Sequence, residues 1–429
     1  MIKDSDAEMK PYWWQAAPPR PAPQQDWQQQ TEIVIIGAGF TGLAAALTLA
    51  RAGRKVVIVE KQLIGEGAAS RNGGITSGNL RVSEAGLARR FGREKARRFT
   101  DEAVAARADL QRFIETEGID CDYQRCGRVV GITKAVSLEN LQREADSFAE
   151  RYAIQPTVIS GSGIADYIDS NKYQAAVLRP DIGGIHPAKL AHAMADLVLA
   201  EGVAIYTETA VSGIRRDGTR FTIATNQGRI EADHVIAATN AYTDRSLPWL
   251  KRRLVPVISE MIATEELGEN RVRSLMPKLT MFGEALELGY YYRPSPDGKR
   301  ILLGGRRLHN DPEQARLRLR QGLGSILPQL AETEISHHWH GFVAFPFDQL
   351  PKLAVHDGVI YPAGFSGSGT VWARWLGHKA AAMILGRDGE TVFADMAMPT
   401  LPFYTGEPWF LPLAMRYYRL RDRLSARSK

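Results

Sequence analysis

The chain has 429 residues, 44% hydrophobic and 24% charged, an ordinary globular composition with material for two cores. A formal net charge of +6 and a pI near 9.2 raise nucleic acid as a partner. The basic clusters at 89–98, at 251–253 and in the tail "RYYRLRDRLSARSK" lack the interleaved aromatics of a base-stacking surface and read as solvated helix faces, so no nucleic acid is expected.

In chain order, residues 1–30 are rich in Pro and Gln and predict an extended N-terminal arm, pinned to the body by Trp13 and Trp14. No basic segment followed by an apolar core opens the chain, so a secretory leader is not expected and the expected location is cytoplasmic. Then "IVIIGAGFTGLAAALTLA" (33–50) runs without a charged residue. A membrane span takes roughly 17–25 apolar residues, but Gly37, Gly39 and Gly42 cut this run in two. Residues 33–36 suit a strand buried on both faces, 43–50 a helix that stops near Gly53, and "KVVIVEK" a second strand ending at Glu60. The order is that of a βαβ unit, with no transmembrane segment.

Segments 84–117 and 136–152 have helical spacing, with the strand "GRVVGIT" (127–133) between them. Cys121 and Cys126 are the two cysteines. They give no disulfide framework, and a zinc site would need two further ligands, so free thiols and no metal are expected. Segment 186–202 predicts a helix with Pro in its first turn and Gly at its end. Short hairpin strands follow, the stretch 254–345 reads as mostly strand, "GVIYPAG" is a last strand and 370–385 a last helix. The fold class predicted is α/β: a Rossmann-type, doubly wound, mostly parallel dinucleotide-binding domain interrupted by a β-rich α+β substrate-binding domain. The first is expected to take 31–90, 155–245 and 345–390, the second 91–154 and 246–344, and a C-terminal tail 391–429.

The spacing Gly37-x-Gly39-x-x-Gly42 gives a tight turn, a close approach of backbone to pyrophosphate, and helix–strand contact, in that order. The phosphates would sit on the N-terminus of the helix that starts near Thr41, next to Phe40. Glu60, followed by Lys61, would take a ribose hydroxyl. Two further stretches favour FAD over NAD. "GEGAASRNGG" (65–74) has small residues along which an extended dinucleotide can lie, and "GFSGSGT" (364–370) is a second glycine-rich start to a helix. One dinucleotide fingerprint with a second such segment far along the chain suits one long cofactor touched at both ends.

These stretches, with "IDCDY", "GGIHP", "ATNAY", "YYRPSPDGKRILLGGR" and "WHGF", resemble the D-amino-acid-oxidase-like FAD oxidoreductases, and within them the gamma-glutamylputrescine oxidoreductase group. The resemblance implies noncovalent FAD and oxidation of an amine to an imine that hydrolyses to an aldehyde. It implies that Ala69, Ser70, Arg71, Asn72, Gly73 and Gly74 lie against the flavin, as do Gly364, Ser366, Gly367, Ser368, Gly369 and Thr370. It also implies that Val211 holds the adenine end through its backbone and that Ala238, Thr239 and Asn240 pass near the pyrophosphate. Two departures stand out: the group usually reads GASGRNGG where this chain has Ala69-Ser70 before Arg71, and GYSGHG where it has Ser368.

Hydride transfer from the carbon beside nitrogen needs a neutral amine over the flavin, not a protein acid or base. Candidate catalytic residues are therefore pocket groups: His186, Tyr291, Phe342 and Arg306, with Arg306 as anion binder and Arg307 on the opposite strand face. "HHWH" (337–340) is expected to be core or surface histidine, not a metal site. The partners expected are a small amine carrying a carboxylate, such as gamma-glutamylputrescine, and oxygen or another electron acceptor. Two alternatives are an NAD(P)H-dependent monooxygenase and a non-catalytic flavin-binding regulator.

Overall fold

The computed structural model describes residues 7–308, 311–387, 390–394 and 396–427. Parts of the expected arm (1–6), of the expected cofactor domain (388–389) and of the tail (395 and 428–429) lie outside the described residues.

The apolar run opens as the strand Gln30–Ile36, turns through the glycines, and continues as the helix Phe40–Ala50; the strand Val56–Val59 then pairs parallel with the first. Ile33 and Ile35 belong to one buried core and Val34 and Ile36 to another. A strand buried on both faces must be apolar at every position, not at alternate ones, and that explains the missing charge. Among the described residues, no helix is long and apolar enough to cross a membrane.

This strand is central in the first of two eight-stranded sheets, whose path is Lys352–His356, Val359–Ala363, Arg229–Ala237, Gln30–Ile36, Val56–Val59 and Ala204–Tyr206. Four of those neighbouring pairs are parallel. The strands Val211–Asp217 and Arg220–Thr225 extend Arg229–Ala237 as an antiparallel meander. The last helix of this layer, Gly369–Ile384, crosses Phe40–Ala50 at Gly377, where a Cβ would come within 2.2 Å of the Thr41 carbonyl oxygen. Only glycine permits that approach.

The second sheet runs Ile335–Phe345, Val255–Thr264, Ile301–Arg306, Tyr291–Pro294, Met281–Glu284, Arg128–Ile132, Ala175–Arg179 and Thr157–Ser160. All its pairs are antiparallel except Met281–Glu284 with Arg128–Ile132. The mixed α/β architecture expected from the sequence is present, but the sheets divide the chain differently from the expected boundaries. Thr157–Ser160 and Ala175–Arg179, expected in the cofactor-binding part, hydrogen bond into the second sheet. The helix Arg93–Thr116, expected in the substrate part, buries Phe99, Leu110 and Phe113 in the core beneath the first sheet.

Two helices, Glu269–Leu275 and Pro312–Ile326, interrupt a stretch expected to be mostly strand. The second begins well, with the Asp311 carboxylate accepting from the Glu313 amide at 2.8 Å and Pro at its first turn. Gly322 and Gly324 weaken its helical signal. Gly322 is there because the Tyr290 ring lies where its Cβ would be, with Cζ at 2.4 Å. The arm is pinned as expected: Trp13 is fully buried, and its indole N–H donates to the Asn72 carbonyl at 2.9 Å.

His186 caps the helix Pro187–Ala200, its Nδ1 accepting from the Lys189 amide at 3.2 Å, and packs edge-on against Trp13. Burial pushes its pKa down to about 4. Between pH 6.5 and 4 the unfolded chain therefore binds a proton that the folded chain refuses, and folding stability falls as the pH falls through that window. The gap corresponds to about 3 kcal/mol. His186→Asn keeps a capping oxygen without the titration. Its thermal midpoint should fall less than the wild type's between pH 7 and pH 4.5, as followed by circular dichroism.

Candidate active site

The glycine turn borders a cavity of about 1060 Å³, at the upper end of the roughly 300–1,000 Å³ typical of small-molecule sites. Gly37 has φ +107°, a region that favours glycine, and a Cβ on Gly42 would stand 1.9 Å from the Gly37 carbonyl oxygen. Gly39 differs. A Cβ there would meet nothing within 4 Å, so the chain leaves open space above its backbone. Gly37, Gly39, Phe40 and Thr41 line the cavity, whereas Gly42 lies behind the turn as a packing residue. The first N–H groups of Phe40–Ala50 have no capping side chain and form a positive end suited to phosphate.

Glu60 lines the same end of the cavity. Its Oε2 accepts from the Ala38 amide at 2.7 Å and its Oε1 from the Gln62 amide at 2.9 Å, so it braces the glycine turn as well as facing the cavity. Burial raises its pKa against the opposing pull of those two amides. Lys61 reaches the rim and pairs with Asp244 at 3.0 Å. Val211, Ala238, Thr239 and Asn240 line the cavity nearby.

From the second glycine-rich stretch, Ala69, Arg71, Asn72 and Gly73 line the cavity, but Ser70 and Gly74 do not. The Ser70 hydroxyl donates to the Gly65 carbonyl and accepts from the Trp14 indole at 2.8 Å, so it is a strut fully buried beneath the loop. Gly74 (φ +65°) is pressed against the Ile185 carbonyl, which a Cβ would approach to 2.2 Å. From the third stretch, Ser366, Gly367, Ser368, Gly369 and Thr370 line the cavity. Gly364 sits behind them, its amide donating to Asn240 Oδ1 at 2.9 Å. The Ser368 hydroxyl, where histidine was expected from the resemblance, donates to the Asn79 carbonyl at 2.9 Å.

Three of the four candidate catalytic residues, Tyr291, Arg306 and Phe342, also line the cavity. The Tyr291 hydroxyl lies 3.0 Å from Ser259 Oγ, and the Phe342 ring meets Tyr242 edge-on. His186 does not line it; its ring is committed to capping a helix. Arg307 turns to the other side of the strand and pairs with Glu260 at 2.6 Å, where His338 also approaches at 3.5 Å. Among the described residues no cluster of His, Cys, Asp or Glu is suited to hold a metal. Both cysteines are free, and neither lines the cavity.

Sequence reasoning missed Arg128 and the tail. Arg128 is the one charge in the strand Arg128–Ile132, and it lines the cavity. The tail is the helix Leu411–Arg427, whose Asp422 accepts from the amides of Glu287 and Leu288 at 3.0 and 2.9 Å, beside the cavity. A charge inside a short apolar strand was the available signal for the first. For the second the sequence carries none, because the contact joins a tail to a distant loop.

The FAD dependent oxidoreductase family model, abbreviated DAO, matches residues 32–383. The chain belongs to that family. It is 31% identical over 401 residues to the gamma-glutamylputrescine oxidoreductase of Escherichia coli (strain K12), covering 92% of this chain and 93% of that protein. A glycine oxidase of Pseudomonas aeruginosa is 25% identical over 391 residues, covering 88% of this chain and 97% of that one. Among solved structures, glycine oxidase from Geobacillus kaustophilus superposes with a TM-score of 0.72 at 21% identity, covering 88% and 99% of the two chains. The chain is thus an FAD-dependent oxidoreductase of the amine and amino-acid class. Membership sets aside the non-catalytic regulator and gives no support to the NAD(P)H-dependent monooxygenase.

The residues present fit FAD: an open Gly39, an uncapped helix end, a buried acidic group and a second glycine-rich helix start around one cavity. Among the described residues no cysteine or histidine lines the cavity, so acid or heat should release all of the FAD into the supernatant. Flavin retained on the precipitated chain would contradict this. Gly39→Ala, placed in open space, should fold with an unchanged circular dichroism spectrum yet purify with little FAD. Gly42→Ala, set against a carbonyl that cannot move aside, should lower the melting temperature of the apoprotein itself.

Proposed function

We propose that the chain oxidises the C–N bond of an amine carrying a carboxylate, a class that includes gamma-glutamylputrescine, giving an imine that hydrolyses to an aldehyde or oxo acid. Bound FAD would supply the hydride acceptor. The protein's residues hold and orient. The N-terminus of Phe40–Ala50 and the open face of Gly39 would take the pyrophosphate, Glu60 the ribose, and the uncapped N–H groups at the start of Gly369–Ile384 would be available to the flavin.

The observation that carries the substrate class is Arg306. Its guanidinium is enclosed by protein, keeps accessible surface toward the cavity, and makes no ion pair or side-chain hydrogen bond among the described residues. It lies over the Phe345 ring at 5.0 Å, and its Nη2 is 3.4 Å from where a Cβ on Gly367 would be. Burial, with repulsion from Arg81, lowers its pKa to about 10, which still leaves it charged near neutrality. An enclosed charge without a partner is costly, and a carboxylate supplies the planar acceptor that a guanidinium fork matches. Neighbouring Arg307 shows the contrast, since Glu260 already compensates it.

Arg306→Ala should raise KM for a carboxylated amine by roughly ten- to a hundredfold, the worth of a charge-assisted contact, and much less for an uncharged amine of similar length. Equal losses on both would assign Arg306 to the fold or the flavin and overturn the reading. Because the amine must be neutral to give up hydride, and no histidine among the described residues lines the cavity, kcat/KM should climb with pH toward the pKa of the substrate amine.

A further inference from the structure

We propose that Arg128 forms a second anion subsite in the same cavity, so that among carboxylated amines those bearing a second anionic group bind best, while one with a single carboxylate, such as gamma-glutamylputrescine, leaves this subsite unfilled. The inference rests on the reading of Arg306 as the first such site and extends it.

Arg128 stands at the start of the strand Arg128–Ile132, inside the protein, with its remaining accessible surface in the cavity. Its guanidinium lies along the adjacent strand Met281–Glu284. Gly283 makes room for it: a Cβ there would come within 2.3 Å of Nη2. Its Nε has no hydrogen-bond partner among the described residues. Its one polar neighbour is neutral, the side chain of Asn79, which with its amide turned to suit both partners accepts from Nη1 at 3.2 Å and donates to the Ser77 carbonyl. No carboxylate among the described residues pairs with Arg128, and two cations, Arg81 and Arg179, repel it.

The acids around it are committed elsewhere. Glu284 holds Lys172 and accepts from the Tyr290 amide at 2.8 Å. Glu287 pairs with Arg421 at 2.9 Å, and Asp422 holds two backbone amides. Asp181 is shared by Arg107 and Arg179. A half-buried guanidinium that faces a cavity without a carboxylate partner favours an anion that the fold does not supply. The cavity contains two such groups. Arg81 also lines the cavity, repels both, and has its nearest carboxylate oxygen on Glu287 at 3.9 Å, adding a third positive charge.

The two sites are distinct. Arg306 is on Ile301–Arg306, whereas the Arg128 guanidinium lies over Gly283 of Met281–Glu284, two places further along the sheet, so the strands beneath them are about 10 Å apart at roughly 4.8 Å per strand. A single carboxylate cannot serve both strands unless both side chains converge on it; a dianion can span them. The class expected is an amine with two acidic groups spaced along its chain.

The test uses the FAD-loaded protein and ligands that cannot be oxidised. Glutarate, adipate and suberate are titrated beside pentanoate, hexanoate and octanoate, with the flavin absorption spectrum as the readout. At one length or more the dicarboxylate should bind at least tenfold tighter than the monocarboxylate of equal length, and Arg128→Gln should abolish that advantage. No advantage at any length, or an advantage that survives Arg128→Gln, overturns the proposal. Should monocarboxylates bind and Arg306→Gln release them while the second carboxylate adds nothing, the second subsite falls and the Arg306 reading stands. Binding of neither series takes both down. If Arg128→Gln does not fold, the wild-type length series decides alone, and Arg128→Lys, which keeps the charge without the fork, should retain only part of the advantage.

Discussion

The contact between Gly377 and the Thr41 carbonyl sets the geometry on which the rest depends. It lets two helices from opposite ends of the sequence, Phe40–Ala50 and Gly369–Ile384, cross close enough for both N-termini to open on one cavity. The lever is steric. Any side chain at Gly377 would meet backbone that belongs to the glycine turn itself, and a packed interior has little slack with which to absorb it. The first sheet then supplies the base on which both helices rest, with its central strand buried on both faces.

Charge compensation organises the same space. The cavity gathers two helix N-termini and several arginines, while the acids at its edge are bound to lysine, arginine or backbone amides. Isolated positive charge in a poorly hydrated cleft is unfavourable until a ligand balances it, and it also draws anions toward the opening. At one end the ligand is the cofactor, whose pyrophosphate suits helix dipoles. At the other, on the proposed reading, it is substrate, for which guanidinium forks are the better match. The N-terminal arm serves both ends indirectly: Trp13 and Trp14 hold the carbonyl of Asn72 and the hydroxyl of Ser70 from below, fixing the loop between them.

Much of this was legible in the sequence, and the exceptions have physical causes. The βαβ unit could be read because each glycine has a separate steric reason, visible as Gly37-x-Gly39-x-x-Gly42. The stretches expected to face the cofactor line the cavity as stretches but not residue by residue. Ser70, Gly74 and Gly364 lie in the right loops and face away from the cavity, because a tight loop must spend some of its side chains and amides on holding itself together. His186 shows the same ambiguity. A histidine before a proline-led helix is both a cap and a possible pocket group, and only the packed Trp13 ring settles which. The sheet boundaries failed where short strands, Thr157–Ser160 and Ala175–Arg179, carry no signal of which partner they seek; pairing is non-local and propensity is not.

The Ser368 substitution bears on how the site works. Its hydroxyl is engaged with the Asn79 carbonyl and lies 3.4 Å from Ser77, tying the third glycine-rich stretch to the segment that also presents the Asn79 amide to Arg128. A serine there offers no group that titrates near neutral pH, and among the described residues the neighbouring cavity wall offers none of the histidines that commonly do so. On the proposed reading, proton management is left to the substrate, whose amine must already be neutral when it binds. The protein would then contribute position: rigid backbone beneath the cofactor and fixed cations beyond it. In such a site, selectivity among amines would follow from where their anionic groups fall relative to Arg306 and Arg128.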